Sequence, residues 1–453
     1  MQTTSIHGMW SSRLAFILAA TGSAVGLGNI WRFPYITSEN GGGAFVLIYL
    51  MCILIVGLPV MFSEIIVGRR GRMSPINSLR ELSVASNSSK GWMGLGILGV
   101  VAGFLVLSFY SVVAGWTLHY GFLYAKDLFG GVGVTDPEAN FTGLLANPGE
   151  MVFWHGLFMV MTVGVVALGV EKGLERAVSI LMPVLFVLLL ILLAYAISTG
   201  HFGEGVRFLF DPDWSKVSGG MVVTAMGQAF FTLSLGMCAI MTYGAYLPSD
   251  VSVPRVGVTV AIADTMVALV AGLAIFPIII SLGMTPTGGG PGLIFQTLPL
   301  AFTEMPFGIA YGMAFFLLLS VAAWTSSISL MEPATAFIVE STNFSRRSAA
   351  LLVAGLAWTL GLASVFGFNI WSEVTIGGRG IMDSIDYVTN NVMLPVGGLL
   401  TAVFAGWVLS NQITREELGE KMPNWAYSAW LWLTRIVTPA LILVVLASLM
   451  GVI

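Results

Sequence analysis

An apolar run, LAFILAA, leads directly into Gly22, Gly26 and Gly28, and Asn29, Arg32 and Pro34 follow. Glycine and proline weaken a helix interior. An amide or a guanidinium at membrane depth needs a cavity or a partner. A spanning segment that carries both defects predicts a broken helix, tolerated there only where protein encloses it or water reaches it. Bare carbonyls at such a break can ligate a cation, and bare N–H groups can hold an anion. The stretch from Arg13 to Gly43 therefore reads as one half of a site for an ion and a solute.

A second defect lies near 224–247, where apolar runs flank a short LSLG patch with Gln228, Thr232 and Ser234. Sodium takes hard oxygen ligands with little need for net charge. The first span offers Asn29 and the carbonyls of Gly22, Ala24 and Val25, and the second defect offers Thr232. Asp264 stands inside AIADTMVALVAG, and Thr325, Ser326 and Ser327 are adjacent in WTSSISLMEP. Small hydroxyl residues also serve plain packing between membrane helices. Acids at mid-membrane such as Asp264 and Glu64 point to function by default.

The elements that must position these groups follow from composition. The chain of 453 residues is 57% hydrophobic and 9% charged, with mean hydropathy +0.90, whereas soluble domains carry about 25% charged residues. It is an all-α polytopic membrane protein by this measure. The net charge of −4 is too mild to suggest nucleic acid. Cys52 and Cys238 sit in apolar segments and are expected as free thiols. Scattered histidines argue against a metal cluster, and no HExxH, GxSxG or phosphate loop supports an enzyme. The first apolar run lacks a signal peptide's basic lead and cleavage site.

Apolar runs of spanning length fall at about 11–36, 43–68, 94–125, 150–170, 174–199, 217–247, 256–283, 307–340, 347–368, 384–410 and 427–451. That gives eleven spans in one transporter domain: a first half over 11–199, a second over 217–410 and an additional helix at 427–451. Placing the N-terminus in the cytoplasm puts Arg69, Arg70, Arg72, Arg346, Arg347 and most other basic residues inside, against Lys126, Arg207, Lys216 and Arg379 outside. Arg32 and Arg435 fall within spans. The two defects open spans one and six, and defects in matching places of two five-span halves point to an inverted repeat. The outer loop 284–306 is expected either to dip into an outer vestibule or to carry a short surface helix.

The run GSAVGLGNIWRFPYITSENGGGAF resembles the first-span signature of the neurotransmitter:sodium symporters. GQAFFTLSLG is similar to their sixth span, and TSSIS followed by proline to their eighth. The resemblance covers spans one to ten and is closest to the bacterial, LeuT-like amino-acid branch, in which eleven spans are common. It implies a LeuT-type inverted repeat of five plus five helices with helices 1 and 6 unwound. It also implies sodium-coupled import of an amino acid by alternating access, in the inner (plasma) membrane, by a monomer or weak dimer. A proton-coupled transporter of the same fold, or a channel or receptor, is the alternative.

Carried over, the resemblance implies two sodium sites. The first uses the Ala24 carbonyl, Asn29, Thr232 and Asp264. The second uses carbonyls of Gly22, Val25 and Ala322 with the hydroxyls of Thr325 and Ser326. Many relatives have Asn where Asp264 stands, so a fixed carboxylate here predicts chloride independence. The substrate carboxylate would meet N–H groups near Leu27 and Gly28 and Tyr110. Its ammonium would meet carbonyls at Ala24, Phe231 and Thr232, with Ser234 near by. Its side chain would face Val106, Tyr110, Phe231, Met237, Ser326 and Leu330, an uncharged pocket that predicts a neutral, hydrophobic L-amino acid. Cys238 stands where close relatives usually have Gly and is expected to narrow that pocket. The outer gate would be Arg32 with Asp386, closed over by Tyr110 and Phe231. The inner gate would be Glu340 with Trp10, the family's usual Arg being His7 here. Gly173 and Pro183 have the spacing the family uses to unwind span five.

Overall fold

A computed structural model describes residues 5–130, 133–134, 136–283, 292–419 and 422–450. Among them, nine helices are long and apolar enough to cross a membrane, and one bent pair passes the same test together. The bent pair is α1 (Arg13–Ala24) and α2 (Gly28–Glu39), which meet at 49°. The other helices that matter here are α3 (Gly43–Gly71), α4 (Lys90–Leu128), α5 (Pro148–Val166), α6 (Val170–Ser198), α7 (Gly219–Thr232) and α8 (Ala239–Ala245). They are followed by α9 (Val253–Ser281), α10 (Gly308–Ser341), α11 (Arg346–Phe366), α12 (Ile381–Val408), α13 (Asn411–Leu418) and α14 (Asn424–Leu449).

Local chemistry sets the two broken elements. Ser12 caps α1 by accepting from Ala15 N–H, and Ser218 caps α7 by accepting from Met221 N–H. α1 ends where Val25 turns extended, at φ −73 and ψ 107. α2 resumes with a π-helical turn, Gly28–Arg32. Between α7 and α8 the chain runs through Leu233–Cys238 with positive φ at Ser234 (54), Gly236 (78) and Cys238 (62). Only Gly adopts that region freely. Glu64 of α3 secures this segment: its Oε1 accepts from Gly236 N–H at 2.8 Å and its Oε2 from Met241 N–H at 3.1 Å. α3 also lies flush on α8, since a Cβ on Gly68 would sit 1.8 Å from the Met241 carbonyl.

α10 is the central helix, with 78% of its apolar window inside the protein. It packs along α4 and α5 through small hydroxyl pairs, Thr117 with Ser320 (3.0 Å) and Thr162 with Ser327 (2.8 Å), the kind of contact that joins helices where burial alone gives little drive. By contrast α14 has 22% of its window buried and α6 has 28%, so both present most of their surface to lipid. Of the outer loop 284–306, residues 284–291 lie outside the described residues. The remainder forms a short helix whose Phe295 is buried on Trp116, Tyr120 and Phe316. Cys52 and Cys238 are free thiols.

Candidate functional site

The break after α1 strips four carbonyls of their helical partners. Gly26 N–H turns to Asn29 Oδ1 (3.0 Å), Leu27 N–H to the Tyr110 hydroxyl (3.1 Å), and Asn29 N–H to the Gly26 carbonyl (3.2 Å). Among the described residues, no backbone N–H reaches the carbonyls of Gly22, Ser23, Ala24 or Val25. Ser326 Oγ of α10 lies 3.4 Å from the Gly22 carbonyl, 3.2 Å from that of Ser23 and 3.3 Å from that of Val25. A hydroxyl has one proton, so it can serve one of these three oxygens at a time. Thr325 Oγ1 is beside the Ala322 carbonyl at 3.0 Å, and Thr325 packs on Gly22. The outcome is a buried knot with more acceptors than donors, an environment that fits a hard cation.

A second group stands on the far side of the break. Asn29 Nδ2 donates to Asp264 Oδ1 at 2.7 Å and to the Asp264 carbonyl at 3.0 Å. Thr232 Oγ1 lies 3.0 Å from both carboxylate oxygens. All three side chains are buried. Gln228 Nε2 holds the Gly28 carbonyl at 2.8 Å, tying α7 to the start of α2.

Between the two groups is a tight cavity of about 20 Å³, lined by Ser23, Ala24, Gly26, Gly28, Val106, Tyr110, Phe231, Ser234, Met237, Ser326 and Leu330. That is room for about one water molecule, far below the ~300–1,000 Å³ of an open ligand pocket, so the site is closed down around its centre. Of the residues expected around a substrate, Ala24, Gly28, Val106, Tyr110, Phe231, Ser234, Met237, Ser326 and Leu330 line it. Leu27 and Thr232 do not: Leu27 contributes its N–H to Tyr110, and Thr232 faces Asp264. Cys238 is not a lining residue either. Its sulfur rests against Gly99 of α4, so the expected narrowing of the pocket by Cys238 is not what the geometry gives. Sequence reasoning missed Ser23, whose carbonyl accepts from Ser234 Oγ at 2.8 Å and whose hydroxyl donates to Ser329 at 2.8 Å. It also missed Gly26, where a Cβ would fall 2.3 Å from Ser326 Oγ and 2.7 Å from the Tyr110 hydroxyl.

The ends of the site differ. Toward the chain's N-terminal segment the protein is shut. Trp10 is buried and donates through Nε1 to the Tyr243 carbonyl at 3.1 Å. Glu340 accepts from Ser74 N–H (2.6 Å), the Ser74 hydroxyl, Asn77 Nδ2 (2.7 Å) and His7 Nε2 (2.9 Å). At the other end Arg32 and Asp386 form no ion pair within 4.0 Å. Arg32 instead stacks its guanidinium 4.8 Å from the Phe231 ring centroid, and Asp386 Oδ1 accepts from Asn390 Nδ2 at 2.5 Å. Phe231 is thus the roof of the cavity, and the charge pair expected above it is apart. In α6, Gly173 lies in a π-helical turn, Val170–Glu175, and Met182, beside Pro183, packs on Gly22.

The family described as the sodium:neurotransmitter symporter family matches residues 7–127 and 140–452. The chain is 35% identical over 449 residues to the uncharacterized sodium-dependent transporter YhdH of Bacillus subtilis, covering 98% of each. It is 32% identical over 462 residues to the uncharacterized sodium-dependent transporter MJ1319 of Methanocaldococcus jannaschii, covering 96% of this chain and 88% of that one. Among solved structures, that of MhsT in complex with L-phenylalanine superposes with a TM-score of 0.90 at 43% identity, over 97% of this chain and 99% of the other. The broken first span, the broken second element and this likeness give the all-helical, LeuT-type fold. With the match running nearly end to end, the chain belongs to the sodium:neurotransmitter symporter family.

Proposed function

We propose that the protein is a sodium-coupled symporter that imports neutral, hydrophobic L-amino acids by alternating access. The observation that carries this reading is the convergence of released carbonyls from α1 on the hydroxyl of Ser326, next to a cavity with apolar walls. One sodium ion would lie among Gly22, Val25, Ala322, Thr325 and Ser326. A second would lie with Ala24, Asn29, Thr232 and Asp264, touching the substrate carboxylate. Asp264 would supply the fixed negative charge there, so no chloride is needed. The substrate carboxylate would be held by the Gly28 end of α2 and by Tyr110, helped by the positive end of the helix dipole. Its side chain would face Val106, Phe231, Met237 and Leu330. That wall carries no charge to pair with a basic or acidic substrate, and the 43%-identical MhsT binds L-phenylalanine.

In this reading Gly219–Ala245 counts as one interrupted span, for eleven in all. The halves 11–199 and 217–410 form the inverted repeat, and the N-terminus is cytoplasmic in the plasma membrane. Each charge moved inward gains about 2.3 kcal/mol per 100 mV, so one or two sodium ions suffice to concentrate substrate. The test is uptake of labelled Phe or Leu into proteoliposomes. Uptake driven by an inward sodium gradient and absent in choline is expected. Equal uptake in the two media would overturn the coupling, and uptake of Lys or Glu in preference to Leu would overturn the substrate class.

A further inference from the structure

Arg435 is a charge within a span that the transport site does not use. It lies in α14 and is held rather than loose. Its Nε–H donates to the Gly406 carbonyl at 2.5 Å, and Nη2 donates to Asn411 Oδ1 at 2.8 Å. Its guanidinium carbon is 5.3 Å from the centre of the Trp407 ring, and Trp407 Nε1–H donates to the Arg435 carbonyl at 3.2 Å. Two π-helical turns meet here, Phe404–Val408 at the end of α12 and Leu433–Val437 within α14. Such turns disturb the regular ladder and recur at functional sites. Gly406 and Arg435 each lend a carbonyl to a side chain of the other turn. Any side chain on Gly406 would meet Arg435 Cγ at 3.0 Å, so glycine lets the arginine lie against the backbone.

No acidic group among the described residues neutralises this guanidinium. Among the described residues no carboxylate lies within 4.0 Å of it. Glu416 and Glu417 of α13 are turned to Arg70 (3.1 Å) and Arg69 (2.5 Å). A guanidinium has five N–H donors, and two are engaged. The face beside it looks to lipid, with Trp407 63% and Trp432 60% exposed. α14 is 26 residues long, or about 39 Å at 1.5 Å per residue, against a hydrocarbon core of ~30 Å. Its first turns therefore extend past the core. Arg435 lies deeper, eleven residues after Asn424, but its partners Gly406, in the last turn of α12, and Asn411, at the start of α13, hold it toward that same end of the span, where the exposed Trp432 suits an aromatic belt. A second guanidinium shares the corner. Arg415 Nη2 donates to the Met422 carbonyl and to Asn424 Oδ1, both at 2.8 Å, and Arg415 stacks 5.0 Å from the ring centroid of Tyr427. The Tyr427 hydroxyl donates to the Asn411 carbonyl at 3.2 Å, so Asn411 links the two arginines.

An unpaired cation at this depth is costly, and an arginine free to do so would snorkel into the headgroups. Here the bonds to Gly406 and Asn411 hold it in place with three N–H groups and its whole charge to offer. We propose that Arg435, with Arg415, Asn411 and Trp407, forms a binding site for the phosphate of an anionic phospholipid at the corner of α12, α13 and α14. The phosphate oxygens accept the remaining guanidinium N–H groups in the planar, forked geometry arginine favours. The acyl chains run along the exposed faces of Trp407 and Trp432. Basic pockets between membrane helices at the interface suit such headgroups.

The test uses the full chain in a neutral detergent, exposed to equimolar phosphatidylglycerol and phosphatidylcholine. Native mass spectrometry counts the lipid retained, and a melting curve is taken with each. The wild type is expected to retain phosphatidylglycerol in preference and to melt several degrees higher with it. Arg435→Gln should cut that preference about fivefold, the loss of one arginine contact with an anionic lipid, and Arg435→Lys should keep part of it. Equal retention of the two lipids by the wild type, or an unchanged preference in Arg435→Gln, would overturn the proposal. So would inorganic phosphate that reproduces the whole melting shift, since the ligand would then be a soluble anion. If Arg435→Gln folds poorly, the pair Arg415→Gln and Asn411→Ala gives the same reading: a preserved preference in both refutes the site.

Discussion

Asp264 accepts from Asn29 and Thr232 at once, and among the described residues no basic side chain pairs with it. Asp264→Asn keeps the shape and removes the charge, and it sets one amide against another. The sodium concentration for half-maximal uptake is expected to rise about tenfold or more, each factor of ten being ~1.4 kcal/mol. Uptake should recover in part when chloride replaces gluconate. Titrating sodium in the two media reads both effects, and no change in either removes Asp264 from the cation site. Gly26→Ala is the sharper change. Its methyl would overlap Ser326 Oγ and the Tyr110 hydroxyl, so labelled Phe should fail to bind to a chain that still folds. At this scale the sequence was legible where chemistry is a matter of side-chain type: Asn29, Thr232, Asp264, Thr325 and Ser326 could be picked out by their oxygens. It was only partly legible in the backbone, where the carbonyls of Gly22, Ala24 and Val25 were expected at the break and that of Ser23 was not. Ser23 offers a carbonyl as any residue would, and only the fold reveals that its helical partner has turned away to Tyr110.

Glu64 is the clearest case of one element fixing another. Its carboxylate ties the middle of the second break to α8, one oxygen on Gly236 N–H and the other on Met241 N–H. Glu64→Gln leaves one N–H facing an NH₂ group. Hydrogen bonds to a charged acceptor contribute ~1.5–3 kcal/mol each, so a fall in melting temperature together with most of the uptake is expected. A variant that melts and transports like the parent would show the break to be held by packing alone. Periodicity and span length located the helices to within a few residues, because an apolar run near bilayer thickness has few other uses. The breaks were less readable. The first announces itself through three glycines, an asparagine and a proline, whereas the second places Ser234 and Cys238 at positive φ, a conformation their types disfavour and that surrounding contacts must impose. Cys238 illustrates the limit: its identity suggested a narrower pocket, yet its sulfur packs on Gly99.

For the molecule as a whole, the two ends of the central cavity are not alike. The end near the N-terminal segment is latched by Trp10 and by Glu340 with His7, while Arg32 and Asp386 at the other end stand apart. His7→Arg puts a permanent charge and a forked donor beside Glu340. It should hold the latch longer, slowing turnover while leaving substrate affinity near the parent's. Comparing the binding constant for Phe with the uptake rate separates the two, and a faster cycle would show that His7 is not part of the latch. The sequence supplied the partners on each side but not which pair is engaged, because a gate's state belongs to the conformation and not to the residues.

The seam between α3 and α8 bears on that cycle. With no room for a methyl between Gly68 and the Met241 carbonyl, and with Glu64 gripping backbone inside the break and in the first turn of α8, the two cannot slide past each other. Whatever swing empties the cavity must carry them together as one lever, so the hinges lie elsewhere. An engineered cross-link across that seam should leave the transporter running, while one from α8 to the segment around Trp10 should jam it.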